Sequence, residues 1–93
     1  MSEKLESVLD KLAREHPEVK VEVRDLKFDI DSLRGHAERC EYRELIDGIA
    51  SFAGLWFEMM KRIPAFERIE PISARKDFYN ELVELLRTRY GCK

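Results

Sequence analysis

The residue pair best suited to catalysis in this chain is Asp29 and Asp31, which are separated by one residue in the segment FDIDS. On one face of a β-strand, two carboxylates at this spacing can hold a hard cation such as Mg²⁺. The alternative is structural. Asp31 would then cap a following helix, and Asp29 would pair with a lysine on a neighbouring strand.

This short motif resembles the D-x-D of magnesium-dependent phosphoryl-transfer enzymes. The resemblance covers only these few residues, because the parallel sheet and further motifs of the phosphatases have no counterpart here. The Gly-Ser turn of the nucleotidyltransferases is also missing. We therefore expect no catalytic site and no cofactor, and a metal-dependent enzyme is the third of three hypotheses.

His36 and Cys40 form a second pair, four residues apart, so their side chains share one face of a helix. Imidazole and thiolate are ligands for a soft metal such as Zn²⁺, and His16 and Cys92 could complete a set of four. Neither cysteine belongs to a compact C-x2-C pair, so nothing local specifies a site. We expect no bound metal, with Cys40 partly buried and His36 solvated.

The element around which we expect the rest of the chain to pack is a long helix predicted over residues 42–63. Its apolar residues recur at steps of three and four, which places them on one face: Tyr42, Leu45, Ile49, Phe52, Trp56, Met59 and Ile63. Ile46, Ala53 and Met60 widen that face. Pro64 ends the helix because it lacks a backbone donor.

Apolar residues surround this helix near Trp56, because Leu55 and Phe57 leave the main face. A helix that is apolar on all sides is buried on all sides, and so short a chain offers little to cover it. We therefore predict a homodimer interface formed by Ala50, Gly54, Leu55, Trp56 and Phe57. Its small residues, Ala50 and Gly54, would allow the backbone of the second copy to approach closely. The sequence does not decide whether these residues are core or interface.

Residues 19–30, VKVEVRDLKFDI, show a period of two. Val19, Val21 and Val23 alternate with charged residues, and the alternation then shifts phase by one residue. A hairpin turning at Arg24-Asp25 and a single bulged strand both fit, and we favour the hairpin because it opposes unlike charges. Arg-Asp is nevertheless a poor two-residue turn.

The remaining elements complete one domain over residues 1–93. We predict a first helix to about Glu15, a short helix over 32–40 and a break near Cys40 to Tyr42. The segment 65–72 is predicted as a loop or edge strand, and the last helix covers 74–90. The order is α-β-β-α-α-(β)-α, a helix-dominated α+β fold with the hairpin packed on the long central helix.

Composition narrows the functional classes. The chain has a net charge of -2 and a pI near 5.7, so it offers no global attraction to phosphate. Its start alternates charged and apolar residues, unlike a signal peptide, and no apolar run reaches the length of a membrane span. One asparagine, one threonine and no glutamine beside 39% charged residues are typical of hyperthermophile proteins.

We accordingly predict a thermostable cytoplasmic protein that acts as a homodimeric interaction or assembly component and is not an enzyme. The alternative is a nucleic-acid-binding accessory protein using the following arginines: Arg34, Arg39, Arg43, Arg75, Arg87 and Arg89. Glu38, Glu41 and Glu44 are interleaved with the first three, which favours pairing within a helix over phosphate contacts. The sequence names no pathway, ligand or partner.

Overall fold

The computed structural model describes residues 4–88, and that region is built from four α-helices. They are α1 (Leu5–Glu15), α2 (Lys20–Glu38), α3 (Tyr42–Met60) and α4 (Ile69–Thr88). Short 3₁₀ helices at Pro17–Val19 and Ala65–Glu67 connect α1 to α2 and α3 to α4. No strand occurs between residues 4 and 88.

The predicted α+β fold is therefore wrong, because residues 20–30 form the first part of α2 instead of a hairpin or bulged strand. The buried residues of α2 recur at helical spacing: Val23, Leu26, Ile30, Leu33 and Ala37. Val21 and Phe28, which complete the alternating pattern, are 57% and 72% exposed. Strand preferences differ by only about 1 kcal/mol between residues, so burying a full helical stripe outweighs them.

Three further boundaries differ from the prediction, and the first is the end of α3, which lies at Met60 and not at Ile63. The short helix expected over 32–40 is continuous with α2, so Asp31 and Ser32 lie inside a helix and do not begin one. The last helix begins at Ile69, so the segment 65–72 is a 3₁₀ turn and the start of α4. Pro71 is accommodated because it lies in the first turn of α4, where a backbone N–H has no helical partner.

Helix α2 occupies the centre of the fold, a place that the sequence had suggested for α3. It packs against α1, α3 and α4, and α1 also packs against α4. Helix α3 runs antiparallel along α2, as the 2.7 Å ion pair between Arg62 and Glu22 near one end of the contact indicates. Because α3 packs chiefly along α2, it lies at an edge of the bundle.

The close approach of α2 and α3 depends on Gly48. A Cβ atom at this position would lie 2.8 Å from a methyl group of Leu33, which is fully buried. Real Cβ contacts are essentially never this short, so the absent side chain allows the two helices to meet. Gly48 therefore fixes the spacing of α3 on α2.

An aromatic cluster joins α3 to α4. Phe52 is fully buried, and its ring centroid lies 5.8 Å from that of Trp56, 5.8 Å from that of Phe78 and 6.0 Å from that of Tyr79. These separations are in the range in which aromatic pairs attract one another beyond simple burial. The cluster fastens the edge helix to the rest of the core.

Arg34 on α2 ties α1 and α4 together through charge. It binds Glu6 of α1 and Glu81 of α4, and its Nε lies 2.5 Å from the Glu81 carboxylate. Its guanidinium carbon also lies 5.4 Å from the ring centroid of Phe78. The hydrogen bonds from Arg34 lower the pKa of the Glu6 carboxyl, so this bridge persists into mildly acidic solution.

Two phenylalanines on α3 test the assignment of its inner and outer faces. Phe52→Ala should destabilise the fold by ~3–5 kcal/mol, because it leaves a cavity in the aromatic cluster. Phe57→Ala, on the same helix but 63% exposed, should change the stability of the monomer by no more than about 0.5 kcal/mol. Denaturant unfolding at low protein concentration measures both values. Equal losses would contradict the assignment.

Candidate interaction surface

The outer side of α3 carries a row of apolar side chains that nothing in residues 4–88 covers. Its members follow steps of four, four, three and four residues, so they share one face of the helix: Tyr42, Ile46, Ala50, Ala53 and Phe57. Tyr42, Ile46 and Phe57 are 52%, 67% and 63% exposed, and both alanines are exposed. We call these five residues the outer stripe of α3.

The outer stripe is distinct from the buried face of the same helix. Leu45, Phe52, Trp56, Met59 and Met60 are the buried residues of α3, and they point toward α2 and the aromatic cluster. The two apolar faces are separated by about a quarter turn. Helix α3 is therefore apolar on two sides, of which the bundle covers one.

Of the five residues predicted at an interface, the structure exposes Ala50, Gly54 and Phe57. Leu55 is partly buried against the core, and Trp56 is only 4% exposed. Trp56 lies in the core with the guanidinium carbon of Arg75 4.9 Å from its ring centroid.

Three members of the outer stripe were not among the predicted interface residues, namely Tyr42, Ile46 and Ala53. Their spacing in the sequence also fits the main apolar face, which includes Tyr42 and is widened by Ile46 and Ala53. The width of the apolar face is the feature of the sequence that indicates an exposed stripe. One neighbouring helix cannot cover an apolar face that is wider than itself, so part of such a face stays exposed.

The side chains in the middle of the outer stripe are small, and the space beside them is open. Ala50 and Ala53 carry a single methyl group each, and a Cβ atom at the adjacent Gly54 would meet no other heavy atom within 4 Å. Gly48 and Gly54 thus have opposite surroundings. Leu33 occupies the space beside the Cα atom of Gly48, whereas the space beside that of Gly54 is open. Small residues at such a place permit close approach of another helix.

Charges of both signs border the outer stripe. Lys61 lies 5.1 Å from the ring centroid of Phe57 and 3.3 Å from the carboxylate of Glu58. Arg43 and Asp47 are exposed near the other end. An apolar centre with a mixed polar rim is the usual anatomy of a protein–protein contact.

The catalytic candidates Asp29 and Asp31 lie on α2, where two residues of separation place side chains about 200° apart. Asp29 is partly buried and 3.5 Å from the hydroxyl of Ser51, and burial raises the pKa of its carboxyl. Asp31 is exposed. The helix therefore directs the two carboxylates away from each other, in contrast to the shared strand face on which the hypothesis depended.

The metal candidates His36 and Cys40 have other partners. The Nδ1 atom of His36 lies 2.8 Å from Glu41, and Arg39 donates to the same carboxylate at 2.9 Å. The His36 and Arg39 contacts lower the pKa of the Glu41 carboxyl. Cys40, which has a φ angle of 58° in the turn between α2 and α3, is disulfide-bonded. Its sulfur is thus not a thiolate in this structure.

The other two residues of the hypothetical metal set are His16 and Cys92. His16 pairs with Glu67 at the far end of α2, and Cys92 lies outside the described residues. Within residues 4–88, no three histidine, cysteine, aspartate or glutamate side chains are grouped to hold a metal ion. Metal binding remains a hypothesis without a site.

A second surface feature is a groove of about 550 Å³ between α1 and the start of α4. Val8, Leu12 and Ala74 form its floor, and Phe66 and Ile69 stand at its edge. These two edge residues are 76% and 73% exposed, more than any other large apolar residue between residues 4 and 88. We call this feature the α1–α4 groove.

His16 fastens the end of α1 to the turn that carries the groove edge. Its Nε2 is paired with Glu67, and its Nδ1 lies 3.5 Å from Glu18. The hydrogen bond to Glu67 raises the pKa of the His16 imidazole. The carbonyl end of α1, which carries partial negative charge, also favours the protonated ring.

The His16 pair makes stability depend on pH in a defined direction. Because folding raises the His16 pKa, the stabilisation is complete below the ordinary value of 6.5 and is lost as pH rises through the folded-state value. The difference in unfolding free energy between the wild type and His16→Gln should therefore shrink as the solution becomes alkaline. An NMR titration midpoint for His16 below 6.5 would contradict this account.

The structure pairs most of the described arginines that were candidates for nucleic acid. Arg34 binds Glu6 and Glu81, Arg39 binds Glu41, and Arg87 binds Glu84. Arg75 covers Trp56 and Tyr79, and Arg43 is exposed. Arg89 lies outside the described residues. The described arginines of this set are distributed over several helices, and three of them have carboxylate partners.

Comparison with known protein families, with curated proteins and with solved structures finds no significant match for this chain. Among the described residues, no helix combines the length and the apolar character that crossing a lipid bilayer requires.

Proposed function

We propose that this protein is a homodimeric interaction or assembly component, and that two copies pair through the outer stripe of α3. One observation carries the proposal: Tyr42, Ile46 and Phe57 lie on one helical face and are each more than half exposed. Isolated apolar residues on a surface need no explanation, but a continuous row along one helix indicates an interaction site.

The shape of the stripe favours a second copy as its partner. Large side chains at both ends enclose Ala50 and Ala53 in the middle, so the row has similar profiles when read in either direction. Two such rows related by a two-fold axis can cross at their small residues, with Phe57 of each copy beside Ile46 of the other. Ile46 and Phe57 are separated by about 16 Å along the helix, since each residue rises about 1.5 Å. An interface of this kind uses the same patch on both subunits.

The energies favour a reversible dimer. Fully burying a large apolar side chain contributes about 1.5–3 kcal/mol, and the three large residues of each copy are already partly covered. Their combined gain over two copies is thus of the same order as the association cost, about 4–15 kcal/mol. We therefore expect monomer and dimer to exchange within the micromolar to millimolar concentration range.

Thermostability and a cytoplasmic location form part of the same proposal. The bridge from Arg34 to Glu6 and Glu81 links three helices, and such networks suit high temperature because the cost of desolvating charge falls as temperature rises. The disulfide at Cys40 is compatible with this location, since intracellular proteins of hyperthermophiles commonly carry disulfides.

Nucleic-acid binding stays the alternative proposal, with weaker support. Phosphate contacts need unpaired cations arranged along a surface, whereas Arg34, Arg39 and Arg87 have carboxylate partners. Retention of oligonucleotides that weakens steeply with salt would support this alternative over pairing of two copies.

A single substitution in the outer stripe tests the main proposal. Ala53→Arg places a long charged side chain at the crossing point and costs little helix preference, because arginine is nearly as favourable as alanine in a helix. Light scattering over micromolar to millimolar concentrations should show the wild type approaching twice the monomer mass and the variant remaining a monomer. The matched control is Ala65→Arg, the same change at an exposed position off α3, which should behave as the wild type does. A monomeric wild type, or equal masses for both variants, would refute the proposal.

A further inference from the structure

The α1–α4 groove offers a second interaction surface, which shares no residue with the outer stripe of α3. Phe66 and Ile69 at its edge remain about three-quarters exposed although they adjoin a floor of core residues. Its volume of about 550 Å³ is in the range of binding pockets, but with edge residues this exposed it is an open groove. Such a shape suits side chains presented by another polypeptide better than a small molecule, which is normally enclosed.

The charges along the groove are mainly negative. Glu15, Glu67 and Glu70 line it together with Lys11. The Lys11 ammonium is 3.6 Å from the Glu70 carboxylate, so this cation is already balanced. Glu67 is paired with His16, and no hydrogen bond or ion pair joins the Glu15 side chain to another residue in the part of the chain that the structure describes. The lining therefore carries more acidic than basic side chains, and one carboxylate, that of Glu15, has no cationic partner among the described residues beside the exposed apolar surface.

This combination excludes several occupants. Nucleic acid and anionic lipid would be repelled by the carboxylates. A second copy in a two-fold contact would bring two predominantly acidic grooves together, which is unfavourable because like charges at an interface cost several kcal/mol. A neutral apolar ligand would leave the carboxylates without partners.

We infer that the α1–α4 groove binds a basic amphipathic peptide segment of another protein. Its apolar side chains would cover Phe66 and Ile69, and flanking lysine or arginine side chains would meet Glu15 and Glu70. A helix that places its apolar face in a groove is a common mode of peptide recognition. The surface is separate from the outer stripe, so this binding does not depend on whether two copies pair through α3.

A model peptide provides the probe. It is a fluorescein-labelled helical peptide with leucine on one face and lysine flanking it, and its counterpart has glutamate in place of every lysine. We expect anisotropy to show saturable binding of the lysine peptide that weakens with salt, and no binding of the glutamate peptide. Absence of binding by the lysine peptide, or equal binding of both peptides, would overturn the inference.

Paired variants separate groove binding from general attraction to an acidic protein. Glu15→Gln/Glu70→Gln should weaken peptide binding by about tenfold or more, because two charged contacts are removed from the groove. The control, Glu44→Gln/Glu84→Gln, changes net charge equally at exposed positions elsewhere and should weaken binding by no more than about twofold. Equal weakening by both pairs would overturn the inference, since charge alone would then explain the attraction.

A second pair of variants, one in the groove and one outside it, tests the apolar contact with the peptide. Ile69→Ser should weaken peptide binding by about tenfold, whereas Val83→Ser, on α4 but away from the groove, should leave it unchanged. Equal effects of the two substitutions would overturn the inference. Ile69→Ser should also leave the mass of the protein alone unchanged, and a shift from dimer to monomer would show that a second copy is the occupant instead.

Discussion

The apolar character of α3 exceeds what its position in the bundle can cover, and the rest of the account depends on that excess. A helix at the edge of a four-helix domain has one face against its neighbour and one toward solvent. In α3 the inner face carries Phe52 and Trp56, and the outer face carries Ile46 and Phe57. Monomeric proteins rarely expose contiguous apolar surface, so the arrangement of these side chains in a row indicates an interaction site.

The interior explains why α3 lies at the edge. Helix α2 takes the centre because Leu26, Ile30 and Leu33 are wholly inaccessible, with three helices packed around them. Gly48 allows α3 to approach α2 closely, and Phe52 connects it to α4 through ring contacts. Arg34 then joins α1 to α4 on a different side of the bundle. These contacts fix α3 in one orientation, which leaves its outer stripe pointing away from the core.

The start of α3 and its inner face could be predicted, because Leu45, Phe52 and Met59 follow helical spacing without competition. The helical structure of α2 could not be predicted, since Val19 and Val23 fit an alternating strand pattern and a helical stripe equally well. Only tertiary burial distinguishes the two, because it covers Val23 and leaves Val21 exposed. The outer stripe was missed for a related reason: Tyr42 and Ile46 satisfy the same spacing as the core residues. Gly48 and Gly54 are also indistinguishable in sequence, although one meets Leu33 and the other meets solvent.

The most direct test of a covered outer stripe is the accessibility of the Ile46 methyl groups to a soluble paramagnetic probe, measured by NMR at several protein concentrations. Val21 and Val83, which are 57% and 50% exposed on other helices, serve as internal references. Pairing through α3 predicts that the Ile46 signals become protected as concentration rises and regain exposure on dilution, while both valines stay accessible throughout. Ile46 methyl groups that relax like those of the valines at every concentration would contradict the account.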